Sequence, residues 1–82
     1  MKPSEIKAGK TYCNRGKSRT FRRVIDIGEK HRPFIFYSSN PLPNEPGVQY
    51  IQISIHGDQI GTHSHTLYLS SFATWAGREV EI

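Results

Sequence analysis

The sequence predicts an all-β fold: one small closed or half-closed barrel of five to six short antiparallel strands, with a single helical turn before the last strand. Three observations predict it. Short runs rich in β-branched and aromatic residues recur along the chain, several with period-two alternation. Turn segments built on Gly, Pro, Asn and Asp separate them. A chain of 82 residues accommodates one such domain, and its four Tyr, four Phe and one Trp suffice to fill a compact core.

Residues 3–9, PSEIKAG, read as an entry segment in which Ser4 caps one helical turn and Gly9 stops it. KTYCNR (10–15) is a first strand, and GKS (16–18) turns the chain. RTFRRVIDIG (19–28) is a long strand. Strict alternation sets Phe21, Ile25 and Ile27 on the inward face with Arg23, and Thr20, Arg22, Val24 and Asp26 on the outward face. RPFIFYSS (32–39) is a third strand. NPLPNEPG (40–47), with three prolines and a glycine, is an exposed loop that presents Leu42 as a docking point for a protein partner. VQYIQISIHG (48–57) alternates most clearly, with Ile51, Ile53 and Ile55 inward. DQIG turns into a fifth strand, THSHTLYLS (62–70). SSFATWAG (70–77) is the helical turn, capped by Ser71 and closed by Gly77, with Phe72 and Trp75 facing the core. REVEI (78–82) ends the barrel.

Composition excludes several classes. Hydrophobic residues at 35% and charged residues at 22% do not describe a disordered chain. No apolar run approaches the roughly 20 residues of a membrane helix, and the basic start MKPSEIKAGK lacks the apolar stretch of a signal peptide. One cysteine, Cys13, excludes an internal disulfide framework and suits a reducing cytoplasm. Net charge is +4, unevenly spread. Residues 1–32 hold ten of the eleven Lys and Arg against Glu5, Asp26 and Glu29, whereas residues 33–82 hold Arg78 against four acids. Such a split points to one electropositive side that meets an anionic partner.

The segments AGKTYCNRG, RRVIDIG, GVQY and LYLSSFATWAGREV carry a resemblance. Over most of residues 8–80 the chain resembles small SH3-like β-barrel proteins of bacteria, phages and prophages, of uncharacterised function. In them a G-x-x-Y strand, an R-x-V-x-x-I strand and a late S-F-x-x-W segment recur. The resemblance implies the fold and, for a phage-encoded chain, a host cytoplasm. It implies no catalytic residue and no cofactor, and the fold alone does not choose among peptide, nucleic acid and small ligand.

Enzymatic motifs are weak. GKT (9–11) and GKS (16–18) look like the end of a phosphate-binding loop. The glycine that such a loop requires five positions earlier is absent from both, and strands follow instead of helices. His56, Asp58, His63 and His65 are metal-ligating residue types. Parity divides them, because His63 and His65 share a face with the inward Leu67 and Leu69 while His56 lies opposite Ile53 and Ile55. Polar hairpin residues are therefore the favoured reading, with His56, His63 and His65 as weak metal candidates. Cys13 has no adjacent base and reads as a small buried hydrophobe. Asp26 and Glu29 sit beside basic residues as surface ion pairs.

The strongest signal is NRGKSRTFRR (14–23), with five basic residues in ten and no acid. Arg15, Lys17, Arg19 and outward Arg22, joined by Lys10, Lys30 and Arg32, form a basic patch. Arginine's planar fork suits phosphate or carboxylate. Tyr12 and Tyr37, if outward, supply stacking faces for single-stranded nucleic acid; otherwise they fill the core. The sequence thus points to a non-enzymatic binding module whose leading partner is nucleic acid. A second reading is a phage-type accessory or anti-defence inhibitor that docks on an acidic surface of a host protein complex. A third is sequestration of a small phosphorylated ligand.

Overall fold

Among the residues described in the computed structural model (1–17, 19–33 and 44–82), five strands form one antiparallel sheet. They are β1 (Thr11–Asn14), β2 (Phe21–Gly28), β3 (Gly47–Ile53), β4 (His65–Tyr68) and β5 (Ala76–Val80), in spatial order β4-β3-β2-β1-β5. Helix α1 (Leu69–Trp75) runs from β4 straight into β5, and short 3-10 turns occupy Pro3–Glu5 and Glu29–His31. Of the third strand expected at 32–39, residues 32–33 are not in a strand and residues 34–39, Tyr37 included, lie outside the described residues, as does Leu42.

Connectivity forces the sheet to curl. Laid flat, β4 and β5 would stand four strand spacings apart, about 19 Å. The seven residues of α1 advance only about 10 Å along the helix axis. The two edges are therefore drawn together, and the sheet wraps as a half-barrel around the helix that links them. Glu45, just before β3, fixes where α1 starts. Its Oε1 accepts the Ser70 backbone N–H at 3.1 Å and the Ser70 hydroxyl at 2.6 Å. This replaces the expected Ser71 cap, since Ser71 lies inside the helix. Ser4 likewise lies inside its 3-10 turn. There the Glu5 carboxylate accepts the Lys2 N–H at 2.8 Å.

Both faces of the sheet carry apolar clusters. The larger one, under α1, comprises Ile6, Tyr12, Val24, Val48, Tyr50, Phe72, Ala73 and Ala76. The smaller, on the other face, joins Cys13, Phe21 and Ile53, with Ile51 and Val80 packed against it.

Strict alternation along β2 fails at one point. Val24 pairs with Tyr50 and Asp26 pairs with Gln49, so Ile25 is a bulge residue without a partner and is 46% exposed. A bulge shifts side-chain parity by one. Val24 and Ile27 consequently share the main core, while Phe21 faces the opposite cluster. In β3 the main core takes Val48 and Tyr50, and Ile53 serves the smaller cluster. Ile55 lies past the strand end and is exposed. Trp75, expected to face the core, is half-buried at its margin.

Two glycines stand where backbones touch. Gly77 is the unpaired bulge residue of β5, and a Cβ there would sit 3.0 Å from Arg15 Cα and Asn14 O. At Gly47 a Cβ would sit 1.9 Å from the His31 carbonyl oxygen. Backbone cannot rotate away as a side-chain tip can. Gly47→Ala should therefore break the Gly28–Gly47 end of the β2–β3 ladder and cost about 3 kcal/mol. A urea denaturation midpoint equal to that of the native chain would refute this close approach.

Candidate nucleic-acid interface

The basic turn is the tip of the β1–β2 hairpin. Asn14 closes its stem, with its N–H donating to Thr20 O at 3.3 Å and its Oδ1 accepting the Thr20 N–H at 3.1 Å. The loop between them exposes Arg15, Lys17 and Arg19. Arg15 Nε–H donates to Ala76 O at 3.4 Å, which leans the loop toward the junction of α1 and β5. Lys17 and Arg19 form no ion pair with any described residue.

Arg22, two residues into β2, lies beside this tip on the face that α1 covers. The outward position expected for it is therefore wrong. Its true parity is that of Val24 and the main core, and its cross-strand neighbours are Tyr12 and Gln52. The guanidinium carbon lies 4.1 Å from the Trp75 ring centroid and 4.7 Å from that of Tyr50. Burial pulls its pKa down from the ordinary arginine value, yet so basic a group stays charged at neutral pH. Tyr50 also packs against the exposed His65 ring, at 5.6 Å and 33°. Trp75, Arg22, Tyr50 and His65 thus form a ladder of alternating planar groups, braced from the core by Phe72 at 5.3 Å from Trp75 and 5.4 Å from Tyr50.

The other expected patch residues divide. Tyr12 supplies no stacking face, because it is completely buried. Its ring meets Phe72 edge-on at 5.7 Å, and its hydroxyl donates to Glu5 O and accepts the Lys7 N–H at 2.7 Å. Burial raises its pKa. Lys10 is exposed at the opposite end of β1, in a groove with Arg23, Glu79 and Glu81. Lys30 and Arg32 lie past the far end of β2, about 23 Å along the strand from the hairpin tip, and local groups occupy both. Lys30 sits 3.4 Å from Asp26. Arg32 donates to Glu45 O and Asn44 Oδ1 and lies 3.6 Å from Glu29. His31, 2.8 Å from Asp26, holds that carboxyl below its ordinary pKa together with the Ile27 backbone N–H and Lys30. These groups tie off the β2 end, whereas the three exposed cations of the hairpin tip form no ion pair with any described residue.

His56, His63 and His65 are exposed, and no three metal-ligating side chains converge among the described residues. Cys13 is fully buried in the smaller cluster, its thiol 3.5 Å from Asn14 Oδ1. No described helix is long and apolar enough to cross a membrane.

Sequence reasoning missed Trp75 and His65 as ring partners of Arg22 and Tyr50. For Trp75 the usable signal was its place in the S-F-x-x-W segment, whereas no motif marked His65. Tyr12, Arg22, Val24, Ile27, Phe72 and Trp75 are the residues named by G-x-x-Y, R-x-V-x-x-I and S-F-x-x-W, and all of them meet in the main core or on its margin. Comparison with protein-family models, curated proteins and solved structures gives no significant match.

Proposed function

We propose that the chain is a non-enzymatic module of SH3-like type that binds nucleic acid through its β1–β2 hairpin tip. Support for the SH3-like reading is the meander β1-β2-β3-β4, with β5 returning to pair with β1 after a short helix. The observation that carries the functional reading is adjacency. Exposed Arg15, Lys17 and Arg19 adjoin a ladder of Arg22 and aromatic rings, and Arg15 and Arg22 touch the consecutive residues Ala76 and Trp75. Cations fix a phosphate backbone, while planar faces beside them hold bases.

The test is a fluorescence anisotropy titration of labelled single- and double-stranded DNA and RNA at several salt concentrations. The expected result is micromolar or tighter binding at low salt that weakens steeply as salt rises, since each neutralised phosphate releases counterions. Absence of binding at low salt would sink the reading. The basic tip would then belong to an acidic protein surface or a small phosphorylated ligand, and a pull-down and a thermal-shift screen would separate those two.

A further inference from the structure

Arg22 differs from Arg15 and from the other half-buried arginines, Arg23 and Arg32. Arg15 donates to Ala76 O, Arg23 to Thr11 Oγ1 and Ile82 O, and Arg32 to Glu45 O and Asn44 Oδ1. Arg22 is half-buried and held over two rings, yet its guanidinium has no hydrogen-bond acceptor and no carboxylate among the described residues. Ring faces satisfy the flat sides of a guanidinium and leave the in-plane N–H fork unused. No guanidinium nitrogen of Arg22 is both sealed from solvent and unpartnered, so the fork stands open to water and to an anion that replaces it. Gln52, directly opposite on β3 and also half-buried, places a side-chain amide in the same row of the sheet.

We propose that Arg22 is a preformed seat for one phosphate of a single-stranded nucleic acid, with Gln52 beside it and the adjoining base against Trp75. This rests on the nucleic-acid reading above and names the form of the partner. The planar fork takes two phosphate oxygens at once, and the rings already fix its orientation, so little side-chain freedom is lost on binding. Position selects the strand type. The exposed loop would reach the phosphates of any duplex, but Arg22 is half-buried between Tyr50 and Trp75. A phosphate seated there brings its neighbouring base against a ring, which needs an unstacked, flexible strand.

Trp75 is the sole tryptophan, so its intrinsic fluorescence reports on this seat without a label. The experiment titrates the native chain with a 12-nucleotide single strand, the matching duplex, and inorganic phosphate, reading both Trp75 emission and binding of labelled oligonucleotide. Arg22→Lys is carried in parallel, with a thermal melt to check folding. The single strand should shift Trp75 emission and bind more tightly than the duplex. Arg22→Lys keeps the charge but loses the fork, and should weaken single-strand binding about tenfold with the salt slope nearly unchanged. Oligonucleotide binding that leaves Trp75 emission unmoved overturns the seat while the nucleic-acid reading stands, and it does so whether or not the variant folds. A Trp75 shift with phosphate alone, without added affinity for the strand, overturns it in favour of a small-anion site. No oligonucleotide binding at low salt overturns both.

Discussion

Phe72→Ala should cost about 3–5 kcal/mol of folding stability and lower the melting temperature by on the order of 20 °C. Phe72 is fully buried and touches every aromatic group of the main core: Tyr12 edge-on, Tyr50 at 5.4 Å and Trp75 at 5.3 Å. Truncation leaves a cavity between α1 and the concave face of the sheet. The surrounding strands cannot close it, because the β4–α1–β5 link fixes the curl. A chain of this size holds about 4–12 kcal/mol in total, so the variant should lose at least about a quarter of its stability. Trp75→Ala should cost less, since Trp75 is half-buried and its loss empties a margin rather than the centre. Thermal melts followed by circular dichroism compare the two. The reverse order, with Trp75→Ala the more damaging, would show that the stability of the half-barrel rests on the Arg22 stack and not on Phe72.

Charge reversal at the hairpin tip should strongly weaken nucleic-acid binding and leave the fold intact. Arg15 and Arg19 are exposed, and neither pairs with an acid among the described residues. Arg15→Glu with Arg19→Glu turns two attractive phosphate contacts into repulsions, and affinity at about 50 mM salt should fall on the order of 100-fold. Surface substitutions of this kind change stability by about 0.5 kcal/mol or less, so the melt should barely move. Reversing Lys30 instead should have little effect on binding, because it lies at the other end of β2 beside Asp26. A double variant that binds with undiminished affinity would remove the tip from the interface.

The strand pattern was legible because it depends on local chemistry. Thr11–Asn14, Phe21–Gly28, Gly47–Ile53, His65–Tyr68 and the helix before the last strand all fall where β-formers and turn residues placed them. The basic tip was legible for a similar reason: a short loop cannot hide three long cationic side chains. Which face of β2 packs inward was not legible. One bulge at Ile25 reverses parity, and period-two reading carries no mark of a bulge. Arg22 was misplaced by that error, and Tyr12 took the place as a stacking residue that Trp75 and His65 occupy.

The sequence by itself determined an antiparallel all-β fold, its hairpins and an electropositive first third, because propensity, turn chemistry and charge act over a few residues. Tertiary structure alone decided that Arg32 also reaches Glu45 and Asn44, that Tyr12 is buried, and that Arg22 is stacked beside Arg15 without an acceptor among the described residues. Those outcomes depend on which side chains meet across strands distant in sequence. The curl imposed by a seven-residue helix, and a single bulge, settle those meetings.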